Sequence, residues 1–351
     1  MNDPRQLLTL LAGKTPERGL PFLLTGGLIS EVPDEAFRGI GLTPDQYSSV
    51  YDDPEQLAEL SLYIYDKVGP SNLYIPCAMR VESEAYGGER DLRAGEHLAS
   101  GLSRNAVFEY PLKKLSDYKN LKRLNPETDG RMPTVLETLR LLKKARHEAP
   151  VIGDLVGPLS LATSLIDGKT LLRSIASEGA LLSEFLDFLT ENTIAFARAQ
   201  ARAGAEAFFL IDPFATSEIL GAEFFELFAL PCLNRIAEGV ADEGCPLIVH
   251  ICGEPSLLAG AFVRMRCEGL SLHRAPDDPA VLGGKLLVGG ADVLQLLGLG
   301  GSEPERDAIT GSVKAAASKG FSVIAPSCSL DATVSLAALQ TAAAAAFRGG
   351  T

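Results

Sequence analysis

Long apolar runs are missing from this 351-residue sequence. No stretch approaches the roughly 18 consecutive apolar residues that a membrane-spanning helix needs, so no membrane partner or span is predicted. The N-terminal segment, MNDPRQLLTLLAGKTPERG, is charged along its length and lacks the apolar core and small-residue cleavage site of a signal peptide. The sequence therefore predicts a cytoplasmic protein.

An excess of positive charge is also missing, because the formal net charge is −13 at pH 7. Nucleic acids and anionic membrane surfaces are bound through basic patches, so the composition argues against both and favours small molecules or another protein. The six cysteines lack the spacing of a disulfide framework, and a reducing compartment would leave them as thiols. We therefore expect them to be core residues or ligands.

The sequence does contain short apolar runs that alternate with amphipathic segments, the pattern of βα units around a parallel sheet. Eight strands are predicted, over 21–26, 72–78, 150–157, 207–213, 246–253, 269–273, 285–292 and 321–328. The clearest helices are predicted over 132–149, 183–205, 217–244 with a break near Pro231, and 330–350 with Asp331 as a cap. This order predicts a single TIM (β/α)8 barrel domain over residues 1–351, with 80–131 as an elaborated loop. Its active site is expected at the C-terminal ends of the strands.

Histidine is scarce, and two of the four histidines end predicted strands. His250 and Cys252 are two positions apart at the end of the fifth strand, so both side chains point to one side of it. Cys328 ends the eighth strand and His273 ends the sixth. One imidazole and two thiolates are a donor set for a catalytic zinc ion with an open fourth position. Inert burial in the core is the alternative, and the residues alone leave both open.

Four longer stretches carry a resemblance to a known family. They are LLTLLAGKTPERGLPF, YDDPEQLAELSLYIYDKVGPSNLYIP, LNPETDGRMPTVLETLRLLKK and GPLSLATSLIDG. These stretches resemble the uroporphyrinogen decarboxylase superfamily and, within it, the methylcobamide:coenzyme M methyltransferase branch. That branch has a His-x-Cys pair and a distant C-terminal Cys as zinc ligands, and these positions match His250, Cys252 and Cys328. The resemblance therefore implies zinc at these three residues.

The decarboxylase branch matches less well at its working residues. Its Arg-rich motif after strand one corresponds to LLTGGLISEVPDE, which contains no arginine, and its acid on strand two falls near Pro76-Cys77-Ala78. Its tyrosine aligns with Ser164. A tetrapyrrole with several carboxylates needs cations, and this rim offers few.

The resemblance implies a zinc-dependent methyltransferase that moves a methyl group from a methylated corrinoid, held by a partner protein, to an acceptor. The acceptor is a thiol such as coenzyme M, or tetrahydrofolate. A uroporphyrinogen decarboxylase-like activity in porphyrin biosynthesis is one alternative. The other is a non-catalytic barrel that binds a corrinoid or a partner around a structural zinc ion. Neither the corrinoid-binding residues nor the oligomeric state follows from the sequence.

Further candidates lie near other predicted strand ends. Characterised relatives carry a glutamate at the fourth zinc position; the corresponding segment here is GLSLHRAPDD, in which His273 is nearest. His273 is expected to ligate the metal, accept the thiol proton or bind substrate, with a structural role as the alternative. Asp212 matches an Asp-Pro of the methyltransferase branch, where it would orient a zinc-bound histidine or bind substrate, with a helix cap or turn as the alternative. The predicted substrate-binding acids are Glu84, Asp154 and Asp277. The residues predicted to be core are Cys77, Cys232, Cys245 and Cys267, and those predicted to be on the surface are His97 and His147.

Overall fold

The structure is a computed structural model of the chain. It describes residues 4–15, 19–29, 31–76, 80–88, 110–146, 148–297 and 301–348. Three residues with sequence predictions, Cys77, His97 and His147, lie outside the described residues, as does the 89–109 part of the predicted loop.

Six parallel strands in the described part of the chain form one sheet that curls into a half-barrel. They are β1 (Ile152–Val156), β2 (Ala207–Ile211), β3 (Leu247–Ile251), β4 (Gly269–Leu272), β5 (Leu286–Ala291) and β6 (Val323–Pro326). The strands are neighbours in chain order, from β1 to β6. Their nearly continuous apolar sequences are typical of parallel strands that are covered on both faces. Six of the eight predicted strands are thereby confirmed.

The other two predicted strands, 21–26 and 72–78, contain isolated parallel bridges instead of strands. Phe22 pairs with Ile324 of β6, and Leu73 pairs with Val151 at the start of β1. The prediction of eight regular strands was therefore wrong at these two segments, which extend the sheet at its two edges.

Side chains replace the backbone ladder between these two segments. Ser71 Oγ accepts the N–H of Phe22 (3.0 Å), and Asn72 Oδ1 accepts the N–H of Leu24 (3.2 Å). In return, Ser71 N–H donates to the carbonyl of Phe22 (2.8 Å). Donors that are already bonded to side chains cannot form a regular parallel ladder. Apolar periodicity does not reveal such bonds, so it predicted regular strands here.

Helices pack around the sheet. Their bounds are α1 (Gln6–Leu11), α2 (Asp34–Gly39), α3 (Pro54–Val68), α4 (Val81–Ala85), α5 (Met132–Ala145), α6 (Pro158–Leu165), α7 (Gly168–Ser177), α8 (Gly179–Ala203), α9 (Ser217–Phe224), α10 (Leu230–Ala241), α11 (Ala259–Arg264), α12 (Val293–Leu296), α13 (Glu303–Ser318) and α14 (Leu336–Arg348). Single 3-10 turns lie at Pro44–Gln46, Ser49–Asp52, Leu115–Asn120, Pro255–Leu258 and Pro279–Leu282. Neighbouring outer helices pack in pairs, such as α3 on α5, α5 on α8 and α8 on α10. None of the described helices has the length and apolarity needed to cross a bilayer.

Two of the predicted helices differ from the structure. The segment 217–244 breaks before Pro231: α9 is kinked at Gly221 (φ 73°), and a π-helical turn over Phe225–Ala229 precedes α10. Pro231 lies in the first turn of α10, where it donates no backbone hydrogen bond to the preceding π-helical turn. The last helix begins later than predicted, because Asp331 accepts the N–H of Thr333 in a turn (2.9 Å) and α14 starts at Leu336.

The inside of the half-barrel is filled by apolar side chains from alternate strand positions. The cluster comprises Leu7, Leu10, Leu11, Leu23, Leu28, Ile152, Ala207, Phe209, Ile211, Ile248, Val288, Val323 and Ala325. The leucines of α1 belong to this cluster, so the interior is apolar where α1 packs. Along β3, the alternation that places Ile248 in this cluster also places His250 on the inner side, at the C-terminal end. The fold thus leaves the C-terminal ends of the strands for polar groups.

Part of the predicted loop 80–131 is ordered against the core. Leu112 forms a bridge with Ile166, and Leu112, Leu115 and Tyr118 are buried. In α4, Glu82 is only 2% exposed and accepts a hydrogen bond from Thr193 Oγ1 (3.0 Å). Burial raises the pKa of Glu82 from 4.5 to about 7.

We expect Glu82 to make stability fall with rising pH. Because its folded-state pKa lies above its unfolded value, its contribution is fully present below about pH 4.5 and is lost as pH rises through about 7. Glu82→Gln should therefore be near neutral at pH 5 and raise the free energy of unfolding by about 1–3 kcal/mol at pH 8.5. Urea denaturation at both pH values measures this. The exposed Glu59→Gln is the control, and equal differences from wild type at the two pH values would refute the assignment.

Candidate metal centre

His250, Cys252 and Cys328 are brought together at the C-terminal end of the sheet. His250 lies near the end of β3, Cys252 follows that strand, and Cys328 lies two residues after β6. The ligand atoms of the three residues all lie within 4.8 Å of one another. His250 Nε2 is 3.2 Å from Cys252 Sγ, and the two sulfurs are 3.9 Å apart. His250 is fully buried and both cysteines are partly exposed, so the site is open on the side of the thiols.

These donors fit a tetrahedral zinc ion. A Zn–S bond of about 2.3 Å and a tetrahedral angle put two ligating sulfurs about 3.8 Å apart, close to the 3.9 Å between Cys252 and Cys328. One imidazole nitrogen and two thiolates suit a borderline-soft cation. Three protein donors leave the fourth tetrahedral position for another ligand.

The contact between the two thiols shifts their pKa values in opposite directions. The hydrogen bond from Cys252 lowers the pKa of Cys328 well below the usual thiol value, and a hydrogen bond from His250 acts in the same direction. The same contact with Cys328, together with burial, raises the pKa of Cys252. Because a thiolate is the form that binds metal, the lowered pKa of Cys328 favours its ligating form.

Ser271 fixes the ring of His250. Its Oγ lies 2.9 Å from His250 Nδ1, and the parallel register places the two residues directly opposite each other on β3 and β4. With Nδ1 occupied, Nε2 is directed at Cys252. Histidine ligands are commonly oriented in this way through their second nitrogen.

The sequence suggested that Asp212 could orient His250, but its carboxylate bonds to Ser160 instead. Its Oδ1 accepts the N–H (2.8 Å) and the hydroxyl (2.5 Å) of Ser160 in the first turn of α6. The side chain is fully buried, and Oδ2 has no hydrogen-bond partner among the described residues. Burial raises the pKa of Asp212 to about 6. Asp212 therefore holds the first turn of α6 at the end of β2, whereas the sequence had offered a local cap or turn before Pro213 as its alternative role.

A cavity of about 280 Å³ opens beside the two thiols. It is lined by Glu218, Cys252, Gly253, Glu254, His273, Arg274 and Cys328. His273 is thus placed at the site, exposed on the cavity wall just after β4. Asp277 is exposed and is not one of the lining residues.

The other two predicted substrate-binding acids are bonded to protein groups and do not line the cavity. Asp154 is buried, and its two oxygens accept the N–H groups of Gly26 (3.0 Å) and Gly27 (3.3 Å). Glu84 is buried in a two-pronged ion pair with Arg131, with N–O distances of 2.7 and 2.9 Å. Asp154 therefore ties β1 to Gly26 and Gly27, and Glu84 ties α4 to Arg131 at the start of α5.

The remaining described cysteines are core residues, as predicted. Cys232, Cys245 and Cys267 are buried. Burial raises the pKa of Cys232 and Cys245 to about 11 and that of Cys267 to about 12, so none of these thiols is ionised at neutral pH.

Several site residues were missed by the sequence reasoning. Ser271 could have been found, because it lies two positions before His273 and opposite His250 once adjacent strands are aligned. Glu218 lies in the first turn of α9, and Glu254 and Arg274 lie in the connections after β3 and β4. No periodic pattern indicates which of these side chains turns toward the site.

The chain is similar in sequence to several known proteins and to one family model. The family model for uroporphyrinogen decarboxylase (URO-D) matches residues 5–348. The chain is 27% identical over 336 residues to the methylcobamide:CoM methyltransferase MtaA of Methanosarcina barkeri, covering 93% of this chain and 91% of that protein. It is 26% identical over 293 residues to the methylcobamide:CoM methyltransferase MtbA of Methanosarcina mazei, with 81% and 84% covered.

A decarboxylase and a solved structure are also similar. The chain is 30% identical over 258 residues to the uroporphyrinogen decarboxylase of Syntrophotalea carbinolica, with 70% of each protein covered. A solved methyltransferase from Methanosarcina mazei has a TM-score of 0.82 at 24% identity, over 98% of both chains. At that identity, the structural match shows a shared fold.

Proposed function

Since this chain belongs to the uroporphyrinogen decarboxylase (URO-D) family, we propose that within the family it is a corrinoid-dependent methyltransferase with a thiol as the acceptor. The observation that carries the proposal is the cluster of His250, Cys252 and Cys328 at the C-terminal end of the sheet. The two Methanosarcina relatives named methylcobamide:CoM methyltransferases, which match over 81% and 93% of the chain, support the same chemistry.

In this proposal, His250, Cys252 and Cys328 hold a zinc ion. Zinc bound there lowers the pKa of an acceptor thiol and keeps its sulfur at a fixed point. Ser271 keeps the imidazole of His250 directed at the cysteines. The half-exposed thiols and the adjoining 280 Å³ cavity give a small acceptor access from one side.

His273 is our candidate for handling the acceptor proton. When the thiol ionises, its proton would move to the imidazole; the thiolate sulfur would then form its bond to the methyl carbon while the carbon–cobalt bond breaks and its electron pair stays on the cobalt. The position of His273 on the cavity wall supports this role. Asp212, Asp154 and Glu84 do not line the cavity, and their carboxylates bond to protein groups.

Decarboxylation of a porphyrinogen is the alternative activity, and the 30% identity to a uroporphyrinogen decarboxylase favours it. The cavity argues against it. Its lining contains two glutamates and two cysteines but one arginine, Arg274, whereas a substrate with several carboxylates needs several cations.

The test is a methyl-transfer assay with the zinc-loaded protein, methylcobalamin and a series of acceptors. We expect protein-dependent loss of the methyl-cobalt absorbance with coenzyme M, together with methylated thiol detected by mass spectrometry. Tetrahydrofolate and uroporphyrinogen are run in parallel. Turnover of uroporphyrinogen without any methyl transfer would replace the proposal with the decarboxylase. Zinc binding without turnover of any substrate would indicate a structural metal in a binding protein.

A further inference from the structure

We propose that Glu218 is a positioning residue for Cys252, whose carboxylate holds the backbone after Cys252 so that the thiol faces His250 and Cys328. The inference rests on the proposed metal site, but it does not depend on which group is transferred. Glu218 lies in the first turn of α9, after β2, whereas Cys252 follows β3. The two elements meet at the cavity.

The carboxylate of Glu218 bonds directly to the turn that follows Cys252. Oε1 accepts the N–H of Glu254 at 2.7 Å, across 36 residues of sequence. Oε2 accepts the hydroxyl of Ser217 at 2.9 Å. Hydrogen bonds to an ionised carboxylate are shorter and stronger than those between neutral groups. The N-terminal end of α9 is therefore tied to the peptide two residues after the metal-binding thiol.

Gly253 is shaped around the same carboxylate. Its φ of +88° lies in the left-handed region that favours glycine. A Cβ at this position would lie 2.1 Å from Glu218 Oε2, well inside van der Waals contact. The positive φ therefore favours glycine between Cys252 and Glu254, and a side chain there would also have to displace the Glu218 carboxylate.

The turn is also held on its far side. Glu254 Oε1 accepts the N–H of Ser256 (3.3 Å) at the start of a 3-10 turn, and its Oε2 lies 3.4 Å from Arg274 Nη1. Cys252 is thus placed between the last residue of β3 and a peptide that is fixed by Glu218. Its 3.2 Å and 3.9 Å distances to His250 and Cys328 depend on both ends.

Glu218 acts through the turn and not as a fourth protein ligand. The described cluster of ligand atoms within 4.8 Å consists of His250, Cys252 and Cys328, and both Glu218 oxygens are already engaged. Outer groups that hold a ligand in place typically contribute about 10- to 100-fold to metal affinity. Glu218 should therefore affect how tightly metal is bound without contacting it.

The experiment is a titration of metal-free protein with Co²⁺ and Zn²⁺, in competition with a chromophoric chelator. We expect Glu218→Ala to weaken both affinities by about 10- to 100-fold. Glu218→Gln should retain affinity within about threefold of wild type, because an amide oxygen can still accept the Glu254 N–H. Glu223→Ala is the matched control, since Glu223 is exposed on the same helix. Thermal unfolding of the metal-free variants separates positioning from general destabilisation, and we expect equal midpoints.

A second variant probes the contact at Gly253. Gly253→Ala should weaken metal binding in the otherwise wild-type protein. The same substitution should cost less metal affinity when Glu218 is already alanine, because the clash with the carboxylate is then absent. Wild-type affinity in Glu218→Ala would overturn the inference. Equal losses of metal affinity in Glu218→Ala and Glu218→Gln, with lower melting temperatures in both, would also overturn it, because they would indicate general destabilisation. A wild-type protein that binds zinc but transfers no methyl group would contradict the proposed function and leave this inference standing on the same titrations.

Discussion

Serine in place of Cys252 should leave the protein nearly free of zinc and lower methyl transfer by more than about a hundredfold. Loss of a group that only supports a ligand costs about 10- to 100-fold in metal affinity or activity, and loss of a ligand itself should exceed that. The remaining donors would be His250 and Cys328. The hydroxyl introduced by Cys252→Ser is a poor ligand for zinc compared with a thiolate. Zinc per chain after dialysis and the methylcobalamin assay measure the two effects.

The control for Cys252→Ser is Cys245→Ser, because Cys245 is a buried thiol outside the site. This variant should keep its zinc and its activity. His250→Ala and Cys328→Ser should behave like Cys252→Ser, since all three residues supply donors to one cluster. Full zinc occupancy and wild-type turnover in Cys252→Ser would rule out a catalytic metal at this cluster.

Strand alternation and the meeting of strand ends placed the three residues at one end of the sheet, and the family resemblance was needed to choose metal ligands over inert core residues. His250 and Cys252 are two residues apart on or after one strand, and Cys328 follows another strand of the same parallel sheet. The C-terminal ends of parallel strands lie at one edge, so the sequence placed these three groups near one another. The structure adds the distances, and it adds the Ser271 contact that follows from the register between β3 and β4.

The partners of the acidic residues could not be predicted in the same way. A resemblance to a family assigns a position to Asp212, but packing decides that its carboxylate meets Ser160 and not His250. The same holds for Glu218, whose contact with Glu254 spans 36 residues and depends on the shape of two connections. Periodicity also overestimated the strands at 21–26 and 72–78, because it cannot show that Ser71 takes a backbone hydrogen bond.

Removal of the Arg131 side chain should lower the free energy of unfolding by about 3–5 kcal/mol, the usual cost of leaving one charge of a buried pair uncompensated. The side chains of Arg131 and Glu84 are only 8% and 7% exposed. Arg131 Nε and Nη2 bind both oxygens of Glu84, and Nη1 donates to the carbonyl of Tyr51 (3.3 Å). Arg131→Ala would leave the ionised carboxylate of Glu84 buried without its charged partner. Urea denaturation at pH 7 measures the loss.

Two comparisons distinguish the cost of an unpaired buried charge from the cost of lost packing and from a role of Glu84 in substrate binding. Arg140→Ala removes an exposed arginine whose ion-pair partners are Glu127 and Glu137, and it should cost less than about 1 kcal/mol. Glu84→Gln combined with Arg131→Met removes both charges and should recover at least half of the Arg131→Ala loss. If Glu84 instead binds substrate, the double variant would keep its stability while its KM for the thiol rises sharply. We expect that KM to be unchanged, because Glu84 is bonded to Arg131 and does not line the cavity.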